Sequence, residues 1–119
     1  MSDPAAPRSF RLDGRTAFVS GGAGHLGAAM VRGLCAQGAR VIVNGRNEDR
    51  LAAFRTRMES EGYAVEAAAF DMMDFPATRA FFGALDRLDV LVNNAVTVQP
   101  GPIERQTPAA FDPAYRSTV

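Results

Sequence analysis

Ser20-Gly21-Gly22-Ala23-Gly24-His25-Leu26-Gly27 decides how the rest of this 119-residue chain is read. An apolar run, Thr16-Ala17-Phe18-Val19, precedes it, and an amphipathic run reaching Gln37 follows. The order is strand, glycine turn, helix. Glycines let a backbone turn tightly and come close to a ligand. A helix N-terminus then presents unpaired N–H groups and a partial positive charge, which together suit an anion. Gly22-x-Gly24-x-x-Gly27 has the spacing of a dinucleotide-binding fingerprint. The bland alternative is a tight βα turn that holds no ligand.

Upstream, Asp13-Gly14 signals a turn into a strand at about 15–20. Its unalternating apolar run predicts a central strand, buried on both faces. Downstream, Leu26, Met30 and Leu34 fall on one helical face, joined by Val31 and Cys35. Gly38 stops that helix. A second strand spans Ala39–Asn44. Asn47 is placed to cap a second helix, with Glu48 and Asp49 in its first turn and Leu51, Phe54 and Met58 turned inward. Tyr63–Phe70 reads as a third strand, weakened by Ala67-Ala68-Ala69. Asp74 caps a third helix with Pro76 in its first turn and Ala77, Phe81, Phe82 and Leu85 on its apolar face. Asp89–Asn94 is a fourth strand. After the Pro100-Gly101-Pro102 loop, Thr107-Pro108 opens a last helix.

This β-α-β-α-β-α-β alternation predicts an α/β fold, a Rossmann-type doubly wound parallel sheet of strand order 3-2-1-4, ending before a fifth strand. Residues 1–11 are expected to form a flexible N-terminal arm, and residues 12–119 an NAD(P)-binding domain incomplete at its C-terminal end. The switch point falls between strands one and four, so the glycine turn and Asn93-Asn94-Ala95 face one crevice.

Composition narrows the classes of function. Thirteen basic residues, all Arg, balance thirteen acidic ones; no basic face for nucleic acid is implied. The longest apolar runs fall far short of the roughly 20 residues of a membrane span, and residues 1–11 carry no signal-peptide core. A cytoplasmic protein is the expectation. One Cys and one His argue against a cysteine-based metal site. Without Lys, no Schiff base or P-loop lysine operates within these residues.

Several residues are candidates for cofactor contacts. The fingerprint expects Asp or Glu at the end of strand two, to hold the ribose hydroxyls of NAD. Asn44-Gly45-Arg46 stands there instead. The Arg46 fork can pair with a 2′-phosphate, which favours NADP over NAD; otherwise Arg46 is a solvated residue ahead of a helix. Asp71 can accept from the exocyclic amine of adenine, or cap the next helix, for which Asp74 is better placed. Asn93-Asn94 can bridge backbone groups across the switch point and hold a ribose, or serve turn chemistry alone. His25 lies inside the glycine turn without sequence neighbours for catalysis or metal binding, which favours a packing or surface role. Cys35 reads as a small core residue.

Together these motifs resemble the N-terminal half of a short-chain dehydrogenase/reductase. The carriers are Leu12-Asp13-Gly14-Arg15, Ser20-Gly21-x-x-Gly24-x-x-Gly27, Asn44-Gly45-Arg46, Asp71 and Asn93-Asn94-Ala95. The resemblance implies that Ser20, Gly21, Gly22, Gly24, His25, Leu26 and Gly27 hold a pyrophosphate. Arg46 and Asn47 would contact the adenosine 2′-phosphate of NADP, Asp71 and Met72 would flank adenine, and Asn94 and Ala95 would line the nicotinamide ribose. His25 stands where a glycine is usual, Val96 follows Asn-Asn-Ala in place of Gly, and Thr118 falls at the position of a family Asn.

The family's catalytic Ser and Tyr-x-x-x-Lys lie downstream of Val119 in this scheme. The resemblance therefore implies the cofactor part of an NADP-dependent oxidoreductase acting on a small carbonyl or alcohol, a homo-oligomer at full length. No catalytic residue is expected here, and the chain, as a fragment or truncated product, is expected to be inactive alone. The rivals are a non-catalytic NADP(H)-binding module and, less well supported, a methyltransferase-like domain, which would want an acidic residue where Arg46 stands.

Overall fold

The computed structural model describes residues 10–96 and 100–118. The expected arm lies outside the described residues through residue 9, as does the side chain of Thr118. Arg11, the last residue of the expected arm, and Leu12, the first after it, are pinned. Leu12 N–H donates to Gln37 O at 2.8 Å, and the Arg11 guanidinium reaches Ala36 O at 3.2 Å.

The elements run β1 (Thr16–Ser20), α1 (His25–Ala36), β2 (Arg40–Gly45), α2 (Glu48–Ser60), β3 (Val65–Ala69), α3 (Phe75–Ala84), β4 (Val90–Val92) and α4 (Pro108–Thr118), with a short 3₁₀ turn at Ile103–Arg105. The sheet is parallel throughout, in the order β3-β2-β1-β4. β1 is central and buried along its whole length. Strands three and four are shorter than their apolar runs suggest. In β3, Glu66, Ala67 and Ala69 are exposed, since an edge strand of small residues has little to bury. In β4 the ladder stops at Val92, and Asn93 and Asn94 are already in the loop.

Alternation along β1 divides the core. Ala17 and Val19 meet Val31 and Cys35 of α1, and on the same side Val41 and Val43 meet Leu51, Phe54 and Met58 of α2. Phe18 points to the other face, where Phe81, Phe82 and Leu85 close over it with Ile42, Ala68 and Phe70. Its ring lies 4.8 Å from that of Phe82 and 5.5 Å from that of Phe81. Burying such a side chain contributes about 1.5–3 kcal/mol.

The stripe expected on α1 needs correction. Leu26 is 62% exposed, and Met30 and Leu34 are only half-buried. Val31 and Cys35 are buried as expected, and Gly27 and Ala28 join them in place of Leu26. The buried stripe is shifted one residue, about 100° around the helix. Gly27 is the reason. A Cβ on it would stand 2.4 Å from Gly21 O and 2.7 Å from Gly22 Cα. Only glycine lets the helix start this close to the turn, and that approach sets which face turns inward.

Candidate cofactor site

The glycine turn is held from both neighbouring strands. Gly21 has φ +64°, the left-handed region that glycine adopts without strain, and its N–H donates to Asn44 O at 3.0 Å. Asn44 is buried at the end of β2. Its amide donates to Ala68 O at 2.9 Å and Phe70 O at 3.0 Å, fastening β2 to the end of β3. On the other side, Ser20 Oγ accepts from the N–H groups of Asn94 and Ala95 and donates to Val92 O. The Asn94 amide donates to Gly21 O at 3.1 Å. These bonds hold open a crevice between β1 and β4 at the carboxyl ends of the strands.

The N-terminus of α1 faces this crevice. Its N-cap, Gly24, supplies no side-chain hydrogen bond, and no acidic residue lies in the first turn. By contrast α2 is capped by Asn47, whose Oδ1 accepts Arg50 N–H at 2.9 Å, and α3 by Asp74, which accepts Ala77 N–H at 3.1 Å. The α1 terminus keeps its positive end and its first-turn N–H groups for an anion. Gly22 is buried, and a Cβ there would stand 2.6 Å from Val43. Gly24 is exposed, and a Cβ there would meet only Gly21 O, at 3.3 Å. The fingerprint glycines thus divide the work: Gly22 and Gly27 allow packing, and Gly24 leaves the crevice floor bare.

The crevice encloses about 510 Å³, within the range of small-molecule sites. Of the residues singled out from sequence, Gly21, Gly24, His25, Leu26, Gly27, Arg46, Asn47, Asp71, Met72, Asn94 and Ala95 line it. Ser20 and Gly22 do not. They lie behind the wall, and the Ser20 hydroxyl is committed to the β4 loop, so both shape the turn and neither contacts the crevice. Asp71 Oδ1 accepts Met73 N–H at 2.9 Å, so this carboxylate closes a local turn while lining the cavity. His25 is exposed as the first residue of α1 and takes no part in the core. Cys35 is buried, and desolvation pushes its thiol pKa up, which disfavours the thiolate.

Other lining residues were not singled out from sequence: Arg50 and Met73 among them, and Ser117 from α4. Ser117 reaches the crevice only through tertiary placement of α4, and no local signal marks it. Among the described residues, no three His, Cys, Asp or Glu side chains converge as a metal site would require, and no helix is long and apolar enough to cross a membrane.

An open crevice at the switch point, floored by a glycine turn and a helix N-terminus, defines a nucleotide-binding doubly wound α/β domain. The short chain dehydrogenase family model matches residues 15–117, and the chain belongs to that family. It is 32% identical over 117 residues to gluconate 5-dehydrogenase of Gluconobacter oxydans, covering 95% of this chain and 46% of that protein. Among solved structures it is similar to a gluconate 5-dehydrogenase from Burkholderia cenocepacia in complex with NADP and tartrate. That pair has a TM-score of 0.75 and 34% identity over 91% of this chain and 44% of that one. A metagenomic short-chain oxidoreductase in complex with NADP aligns with a TM-score of 0.70 and 35% identity, covering 87% and 49% of the two chains. The chain spans less than half the length of these relatives.

Proposed function

We propose that these residues form the NADP(H)-binding part of a short-chain oxidoreductase that moves hydride between the nicotinamide and the carbonyl or alcohol of a small molecule. The observation that carries the reading is Arg46. It lines the crevice at the end of β2, where no carboxylate stands to hold or repel. Two solved relatives named as NADP complexes support the same cofactor.

The residues fit the group chemically. The bare N-terminus of α1 and the exposed Gly24 suit a pyrophosphate. The Arg46 fork, with Asn47 beside it, suits a 2′-phosphate. Asp71 and Met72 flank the adenine end, where a carboxylate oxygen accepts from the exocyclic amine. Asn94 and Ala95 line the ribose end, their backbone set by Ser20. His25 and Leu26 border the pyrophosphate. When bound, the nicotinamide supplies or accepts the hydride. The chain's own part is to bind, orient and set cofactor preference. We place the protein in the cytoplasm, as a homo-oligomer.

General acid–base work by a Tyr-x-x-x-Lys pair is not built from these residues, which include no Lys. That favours, as the second reading, a module that binds NADP(H) without turnover. Titration with NADPH and NADH, followed by a hydride-transfer assay on carbonyl and polyol substrates, separates the two. Tight NADPH binding with turnover supports the enzyme, and binding without turnover the module. Failure to bind either nucleotide overturns both.

A further inference from the structure

His25 is the first residue of α1, in a first turn with no acidic side chain and behind an N-cap, Gly24, with no side chain at all. It is exposed, and it lines two cavities. One is the crevice described above. The other is a recess of about 380 Å³ that shares Ala23 and Gly24 with it. Among the described residues no hydrogen bond or ion pair holds the imidazole. The charged groups that share these cavities come from four segments. Arg32, on the same helix, is already paired with Glu61. Arg50 and Arg57 come from α2, and Arg46 from the end of β2. Asp71, after β3, has its Oδ1 engaged by Met73 N–H. From the protein's own side, an imidazolium at this position therefore has four guanidiniums and the positive end of a helix around it, against one carboxylate. A pyrophosphate seated on that helix end supplies the missing negative charge.

Resting on the NADP reading above, we infer that His25 makes cofactor affinity depend on pH: its ring takes up a proton from solvent as the cofactor binds and donates it in a hydrogen bond to a pyrophosphate oxygen. The proton returns to solvent when the cofactor leaves. Imidazole is the side chain whose charge changes between about pH 5 and 8, whereas a pyrophosphate diester stays fully charged across that range. The contribution of His25 thus rises as pH falls. A glycine, usual at this position in the family, carries no such proton. The 2′-phosphate acts in the opposite sense. A phosphate monoester gains its second proton near about pH 6, and the singly charged form suits Arg46 less well. The observed profile is the sum of the two, and a change at residue 25 separates them.

The test measures dissociation constants of NADP⁺ and NAD⁺ from about pH 6 to 8.5 in the intact protein, His25→Gln and His25→Gly. Calorimetry in two buffers of different ionisation enthalpy counts the protons taken up. Gln keeps a donor but cannot gain charge, and Gly removes both. Parent and His25→Gln are expected to bind alike at the alkaline end and to differ about two- to fivefold at the acid end, the range of an exposed charged pair. The gap should appear with both nucleotides and shrink in high salt. The parent should also take up more protons than either variant. Parallel profiles with equal proton uptake in all three proteins overturn the role of His25 and leave the NADP reading standing. A loss of the same factor at every pH marks an uncharged contact and overturns it too. A parent protein that binds neither nucleotide overturns both.

Discussion

Ser20 Oγ lies 3.0 Å from the backbone nitrogen of Asn94, whose own amide reaches back to Gly21 O at 3.1 Å. The two residues are 74 positions apart. These two bonds join the last residue of β1 and the glycine after it to the loop after β4, and so fix the crevice in which the cofactor is proposed to lie. Ser20→Ala leaves the N–H groups of Asn94 and Ala95 without this acceptor. The expected cost is about 1–3 kcal/mol, measured by urea unfolding, with weaker NADPH binding alongside. Full stability in the alanine variant would show that the β4 loop is held elsewhere.

Gly27→Ala tests the close approach of α1 to the turn. The added methyl meets Gly21 O, Gly22 Cα and the Asn94 amide, the last at 2.9 Å. Two of those three are backbone and cannot swing aside. Overpacking of this kind costs about 1–3 kcal/mol, and displacement of Asn94 should lower NADPH affinity in the same variant. Gly33→Ala is the control, since nothing lies within 4 Å of a Cβ there. It should be neutral or slightly stabilising.

Arg46→Asp addresses cofactor choice. A carboxylate at the end of β2 repels a 2′-phosphate and can accept from ribose hydroxyls. NADPH affinity is expected to fall at least tenfold, about 1.4 kcal/mol or more, with NADH gaining relative to it. An unchanged ratio of the two dissociation constants would remove Arg46 from the site.

Asp89 makes the opposite end of the sheet sensitive to acid. Its carboxylate accepts from Arg87 at 2.7 Å, from Thr16 N–H at 2.8 Å and from Arg15 at 3.3 Å. The Arg87 bond first, and the Thr16 bond next, hold its pKa well below the usual carboxylate range. A depressed folded value stabilises the fold above the unfolded value of about 3.9, and that contribution drains away as pH falls through the folded value. Asp89→Asn should therefore melt below the parent at pH 7, with the gap narrowing as pH drops below about 4. Thermal melts across pH 2–7 measure it, and a constant gap would show that the charge of Asp89 contributes nothing.

Much of this architecture was legible in the chain because its signals are local. Val41-Ile42-Val43, the Asn47 and Asp74 caps, and the glycine turn act on their immediate neighbours, and alternating strands and helices leave few ways to cover a parallel sheet. Arg46 was legible for the same reason, since the end of β2 is one residue before it.

The orientation of α2 and α3 was legible too, but that of α1 only in part. Of the expected face of α1, Val31 and Cys35 are buried as read, whereas Leu26 is exposed and Gly27 and Ala28 are buried in its stead. Periodicity describes which residues share a face of a helix. Which face turns inward depends on how near its backbone comes to another segment, here Gly27 against Gly21 O. Arg50 and Ser117 escaped notice for that reason: their place on the crevice wall follows from the docking of α2 and α4, not from their neighbours in sequence. By itself the sequence determined the order of elements, the glycine turn and the arginine after β2, because turn chemistry and periodicity act over a few residues. Only the tertiary structure decided that Ser20 and Gly22 support the crevice from behind and that Arg50 lines it, because those roles depend on contacts between segments far apart in the chain.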